Sequence, residues 1–375
     1  MAVMFILIVI LVFTLIGINI ASLYKFWKEM GFKKILFPFA FIIFFALAVL
    51  PMRLYKSIPW LSLRRAGLFV SAVFFILLIY PAFLFIVRKI VLLIAKAADK
   101  TDNRFISFIA DCKKSTPLIL GLTAILGVTG YINIGIFRVT DYTLEIDKPS
   151  QTDSLNAAVI ADAHIGIGIY SEDLDKLADK INSLDPDIIL LVGDIIDENT
   201  RPEELDDMVS AFSKLSAPYG VYFVSGNHEA YTNAEYAPYF EAAGLTVLDD
   251  KAVTVAGDIN IVGRKSQAVP RKELSQIIEE NSVDTDKPVI VLNHEPISLA
   301  QMAEEGADLT LSGHTHGEQF PFTKELFSFA NDMMYGVEYF DDMPALTTSG
   351  IAAWGFHFSL PAKSEIVNLT IKFNG

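Results

Sequence analysis

Four apolar stretches without a single charged side chain fall within the first 137 residues, at about 1–23, 35–52, 66–87 and 115–137. Each is long enough to cross the ~30 Å hydrocarbon layer of a bilayer as a helix. A buried helix of a soluble domain is a poor alternative for runs this long and this apolar. Charge divides the chain at the same place: residues 1–137 hold 15 Lys and Arg against 4 Asp and Glu, and residues 138–375 hold 15 against 40. A front part at +11 and a back part at −25 describe a membrane module joined to a water-soluble domain. Disorder is excluded, because 52% of the residues are apolar. The acidic back part has the wrong sign for gripping phosphate backbones, so nucleic acid is not an expected partner. The only cysteine, Cys112, leaves no internal disulfide framework and no cysteine-based metal cluster.

The first charge of the chain is Lys25, after an uninterrupted apolar run, which favours a retained helix over a cleaved signal peptide. Lys and Arg in the short loops set the expected orientation. Residues 24–34 and 88–114 together carry eleven, against six in 53–65 and after the last helix. Both termini are therefore expected outside the cytoplasm, with the chain a multi-pass protein of the cell membrane. Transporters place ionisable groups inside their spans. Here the polar positions are Thr14, Asn19, Thr123 and Asn133, read as helix–helix hydrogen-bonding residues, and the four helices as an anchor. Residues 88–114 either extend the third helix or lie along the interface.

From about residue 144 short apolar runs alternate with amphipathic ones. Strands are predicted at 155–161, 187–192, 220–224, 288–292, 308–311, 345–349 and 366–373, with a hairpin formed by 253–255 and 260–262. Helices are predicted from Ser171, at 202–215, 234–243 and 272–280. The alternation indicates an α/β domain over 144–375, its sheet partly mixed, behind a four-helix module over 1–137.

Chemistry gathers where these strands end. Five of the six histidines close or follow a strand run. They occur in Asp162-Ala-His164, Gly226-Asn227-His228-Glu229, Asn293-His294-Glu295-Pro296 and Gly313-His314-Thr315-His316. Gly193-Asp194-Ile-Ile-Asp197 adds two carboxylates. Ligands of α/β sheets bind outside the carboxyl ends of strands. Residues two apart reach the same side if the chain leaves its strand extended. Imidazole and carboxylate together suit Zn, Mn or Fe. Two such ions could hold a phosphoryl group and activate a water, with Asp194 the best-placed carboxylate to lie between them.

These motifs, in this order, resemble the calcineurin-like metallophosphoesterase family, whose pattern is D-x-H, G-D-x-x-D, G-N-H-E/D, a lone H and G-H-x-H. The resemblance implies a four-layer αββα sandwich with two mixed sheets. It implies that Asp162, His164, Asp194 and His316 hold one ion, and that Asp194, Asn227, His294 and His314 hold the other. His228 would be the general acid, with Asp197 orienting it, and a metal-bridging hydroxide would attack phosphorus. Within the family the chain looks like the membrane-associated branch of YkuE-like phosphohydrolases and UDP-diacylglucosamine-pyrophosphatase-like enzymes. The segment from Pro218 to Glu229 and the Thr348-Ser-Gly350 strand end carry that likeness. Glu318 stands where relatives often have glycine, and many relatives carry Arg near His357, so the substrate does not transfer. Glu229 and Glu295 read as solvent-facing or backbone-capping residues, and His357 as a core or rim histidine. The expected protein is a membrane-anchored phosphoric-ester hydrolase acting on monoesters, diesters or pyrophosphates, lipid-linked ones included. A catalytically silent phosphoester-binding sensor is the alternative, disfavoured by its intact set of ligands.

Overall fold

The computed structural model describes residues 2–232, 235–317, 319–320, 328–355, 357–360 and 362–374. Glu318 lies outside them, as does Ala234, the first residue of the helix expected at 234–243. The chain divides into two compact units, Met1–Ile132 and Asn133–Gly375.

The first unit is helical: α1 (Ala2–Glu29), α2 (Phe37–Arg53), α3 (Leu61–Ile79), α4 (Pro81–Ala97), α5 (Arg104–Ala110) and α6 (Cys112–Ile134), which ends just past the boundary. Among the described residues, four helical stretches are long and apolar enough to cross a membrane: Val9–Glu29, Lys34–Arg53, Leu61–Ala97 and Cys112–Ile134. The third differs from the expected 66–87. It runs 37 residues through two helices, so 88–97 extends it rather than forming a separate element. The interruption is Pro81, which has no N–H to donate to the preceding turn. Tyr80 itself keeps right-handed helical dihedrals (φ −68°, ψ −33°), so the helix axis is broken without a reversing turn.

The polar residues of these helices do different things. Asn19 Nδ2 reaches across to the carbonyl oxygens of Leu77 and Leu78, 2.9 Å from each, which is the expected interhelical bond. Thr14 and Thr123 instead donate to Ile10 and Ile119, one turn back in their own helices. Asn133 belongs to the second unit and donates to the carbonyls of Ser359 and Ala362, at 3.0 and 2.7 Å.

The second unit contains β1 (Arg138–Ile146), β2 (Ser154–Ile160), β3 (Ile188–Val192), β4 (Val221–Val224), β5 (Thr246–Val247) and β6 (Lys251–Val255). These are followed by β7 (Ile259–Gly263), β8 (Val289–Leu292), β9 (Leu309–Ser312), β10 (Gly336–Phe340), β11 (Met343–Thr347) and β12 (Glu365–Phe373). One six-stranded sheet has the order β1-β12-β2-β3-β4-β5, the other β10-β11-β9-β8-β7-β6. Both are mixed. β12 runs antiparallel to β2 in the first, and β6–β7 and β10–β11 are antiparallel in the second. β1 was not foreseen: residues 138–143 pair with the last strand, starting at Arg138 opposite Glu365.

Side-chain alternation makes three cores from these two sheets. Leu155, Ala157, Val159, Ile188, Leu190 and Val192 meet Ile259, Ile261, Ile290, Leu292, Leu309 and Leu311 between the sheets. Ala158, Ile160, Ile189 and Leu191 face outward against α7 (Ser171–Asn182), α8 (Pro202–Phe212) and the later helix at Ala237–Ala242. Val262, Val289 and Val291 face Leu274, Ile277, Leu299 and Met302. Each fully buried Leu or Ile contributes roughly 1.5–3 kcal/mol. The result is the four-layer αββα arrangement expected. Ser171 is the first residue of α7 rather than its cap, but Leu174, Leu177 and Ile181 form the buried face as expected.

Candidate metal centre

The short helix α9 (Asn227–Tyr231) begins directly after β4, and α10 (Ala237–Ala242), α11 (Leu274–Glu280) and α12 (Leu299–Glu304) complete the second unit among the described residues. Asp162 and His164 follow β2, Asp194 and Asp197 follow β3, and Asn227 and His228 open α9. His294 follows β8, and His314 and His316 follow β9. Three strands of one sheet and two of the other therefore deliver these side chains to a common rim.

The loops keep exchanging backbone hydrogen bonds beyond the strands. Asp162 N donates to Gly193 O and His164 N to Asp194 O, both at 3.0 Å. Gly313 N donates to His294 O at 3.0 Å. The chain does not leave the strands extended, as the two-residue spacings had suggested. Asp162, His164, Asp194, His314 and His316 all have positive φ, at 55°, 42°, 53°, 71° and 52°. Non-glycine residues seldom adopt that region, and each instance costs on the order of 1–3 kcal/mol unless the surroundings enforce it. Two glycines give the carboxylates room. A Cβ on Gly226 would collide with Asp194, and one on Gly313 with Asp162.

Among the described residues, four donor groups each lie within 4.8 Å: Asp162 with His164 and His316, His164 with Asp194 and His228, Asp194 with His294 and His314, and Asp197 with Glu198 and His228. Asp194 is common to two. Its Oδ2 is 3.0 Å from His294 Nε2 and 4.0 Å from His164 Nε2, while Oδ1 accepts the backbone N–H of His228 at 2.8 Å. Asp162 Oδ1 is 3.6 Å from His316 Nε2 and 3.9 Å from His294 Nε2. His164 and His316 approach Nε2 to Nε2 at 3.3 Å.

The ring nitrogens are sorted by their outer partners. His294 Nδ1 lies 2.7 Å from the Val192 carbonyl, and His316 Nδ1 3.2 Å from that of Ala352. A carbonyl can only accept, so both rings carry the proton on Nδ1 and turn an Nε2 lone pair inward. Asn227 Oδ1 is buried with no hydrogen-bond partner, and the inward Nε2 of His294 faces the Asp194 carboxylate at 3.0 Å. An unsatisfied buried acceptor costs free energy unless something fills it, and a divalent ion would. The residues present therefore fit a metal centre.

Burial divides the ionisable groups. It pushes His314 down to about 4 and His316 well below its ordinary value, leaving neutral imidazoles suited to ligation. It also pushes Asp162 up to about 6, against the pull of His294. Asp194 is held far below the carboxylate range, because His294, His164 and His228 outweigh its desolvation. His294 is raised in turn, burial being outweighed by Asp194 and Asp162.

One expected contact falls elsewhere. Asp197 does not hold His228. Its Oδ2 faces His164 Nδ1 at 3.7 Å, and His228 Nδ1 lies 2.9 Å from Glu198 Oε2. Glu198 carried no signal beyond its place after Asp197. Glu229 is buried and takes the backbone-capping role, one of the two expected for it. It accepts the backbone N–H groups of Asp194, Ile196 and Gly226, tying the loops after β3 and β4 together. Glu295 is likewise buried, accepting from Ser266 Oγ and facing Arg271 at 4.0 Å. His357 is a packed residue stacked on Tyr170 at 5.1 Å, its Nδ1 2.9 Å from the Ile167 carbonyl.

Residues 155–318 match the family model of the calcineurin-like phosphoesterases, a segment that encloses every candidate ligand above. An uncharacterized metallophosphoesterase of Campylobacter jejuni is 28% identical over 291 residues, covering 76% of this chain and 75% of that one. A transmembrane protein with a metallophosphoesterase domain from Danio rerio is 26% identical over 279 residues, covering 69% and 63%. A solved dimetal phosphatase from Danio rerio aligns at 15% identity and a TM-score of 0.37, over 58% of this chain and 98% of that one. The family model and the relatives' names support the calcineurin-like metallophosphoesterase family, which points to a hydrolase acting on phosphoesters. The 76% share matched in the first relative exceeds what residues 144–375 supply, so the likeness reaches into the helical part.

Proposed function

We propose that the second unit hydrolyses phosphoric esters with two divalent ions, Mn, Zn or Fe, held by Asp162, His164, Asp194, Asn227, His294, His314 and His316. The observation that carries this reading is Asp194, a deeply buried carboxylate common to two donor groups and set among inward-turned imidazoles. Such ions, when bound, neutralise phosphoryl charge and supply an activated water. His228 is the general acid. With Nδ1 engaged by Glu198, only Nε2 remains to pass a proton to the leaving oxygen. Asp197 orients His164, as a carboxylate behind a ligating imidazole does.

The apolar helices anchor the unit in a cell membrane, and the loop charges favour an extracytoplasmic catalytic unit facing envelope phosphoesters, lipid-linked ones among them. The likeness to YkuE-like and UDP-diacylglucosamine-pyrophosphatase-like enzymes supports the same setting. Full-length protein in detergent, loaded with Mn²⁺, should hydrolyse bis-p-nitrophenyl phosphate or p-nitrophenyl phosphate and lose the activity to a chelator. Two ions bound with no turnover of any phosphoester would turn the reading to a silent sensor.

A further inference from the structure

His228 is flanked by two aromatic side chains that the proposed chemistry does not use. Tyr231 lies one turn on in α9, its ring centroid 5.7 Å from that of His228, and Trp354 approaches to 6.0 Å. His228 itself is buried, yet Tyr231 is 58% and Trp354 54% exposed. An apolar ring left so open beside a buried polar group forfeits burial it could have gained by folding inward.

Trp354 is held out deliberately. Buried Gln319 grips its backbone on both sides, accepting from Trp354 N at 3.1 Å and donating to Trp354 O at 3.0 Å. The same amide donates to Phe358 O at 3.0 Å, fixing the far side of the turn. A residue with a pinned backbone and a free ring is presented for contact, at little ordering cost when something stacks on it.

Whatever protonation His228 performs falls on the leaving oxygen, so the group attached to that oxygen passes these rings. Aromatic rings favour a flat, uncharged partner.

We infer that Tyr231 and Trp354 form a leaving-group subsite for a planar, uncharged ring, such as an aryl group or nucleobase. This rests on the phosphoesterase reading and deepens it by naming the chemical class of the group on the leaving oxygen. The test is calorimetric titration of Mn²⁺-loaded full-length protein in detergent with phenylphosphonate and with methylphosphonate, alongside bis-p-nitrophenyl phosphate hydrolysis. Phenylphosphonate should bind about tenfold tighter or more. Tyr231→Ala with Trp354→Ala should remove most of that advantage and leave methylphosphonate unchanged, and Trp354→Phe should retain it. Equal affinity for the two phosphonates, or an undiminished preference in the double variant, overturns the subsite while hydrolysis stands. Failure of both ligands to bind, together with no hydrolysis, overturns the phosphoesterase reading and the subsite with it.

Discussion

Glu198 Oε2 lies 2.9 Å from His228 Nδ1, while the adjacent Asp197 turns its carboxylate to His164 Nδ1, 3.7 Å away. Two neighbouring acids thus serve two different histidines, and their removal should have separable effects. Glu198→Gln should slow hydrolysis roughly 10–100-fold with metal content intact, whereas Asp197→Asn should weaken metal retention by a similar factor. Elemental analysis beside initial rates reads both. The opposite pattern would return His228 to Asp197.

Asp194 is shared between two donor groups, so its loss cannot be confined to one ion. The purified full chain should carry about two transition-metal ions and Asp194→Asn fewer than one, because the amide keeps the shape and drops the charge. A variant that retains both ions would remove Asp194 from its central place.

His228→Ala should keep its metals and lose roughly 10²–10⁴-fold in rate. The donors of His228 also lie within 4.8 Å of those of His164 and Asp194, so the metal content of this variant decides between acid and ligand. Loss of an ion would make it a ligand.

Asp258 offers a pH-dependent stability effect away from the centre. Burial alone would raise its carboxyl, but Ser150 Oγ at 2.8 Å, Gln151 N at 3.1 Å and Lys287 Nζ at 3.3 Å hold it below 3.8. A depressed carboxyl stabilises the fold above its unfolded value and loses that contribution as pH falls through the folded one. Asp258→Asn should cost about 1–2 kcal/mol near neutrality. The gap in melting temperature should close in acid, below about pH 4. A gap that stays constant would show that the charge is not what matters.

Orientation is open to proteolysis. Protease added to intact cells, or to spheroplasts if an outer envelope exists, should digest the second unit and spare residues 88–114. Protection until the membrane is broken would place the second unit in the cytoplasm, with the proposed chemistry unchanged.

The strand-end clusters were legible because each polar group follows an uninterrupted apolar run such as Ile188–Val192 or Val289–Leu292, buried at every position. The same runs indicated an α/β domain with a partly mixed sheet, while the four layers rested on the family resemblance. Contacts set by turn geometry were not legible. The partner of His228 depends on how the chain bends after Asp197, and the left-handed backbone of Asp162 and His164 leaves no mark in a D-x-H spacing. β1 was missed because its first residues are only partly buried, with full burial reached at Leu144 and Ile146, and it abuts an apolar helix that draws the boundary toward itself. Pro81 was visible in the sequence, but an apolar run reads through a proline that only breaks a helix axis.

The left-handed residues at the rim have a thermodynamic consequence. Asp162, His164, Asp194, His314 and His316 sit in an unfavourable backbone region and press like charges and orphaned lone pairs together at the ends of both sheets. On the proposed metal reading, the chain without ions should be weakest where the two sheets meet, and an ion that binds only the folded form would tighten that seam by mass action. Chelation should release amide-exchange protection first in the loops after β2, β3 and β9, well before the strands themselves open. With ions bound, the centre would work as a clasp as well as a reagent, and metal supply would set how long the folded unit lasts.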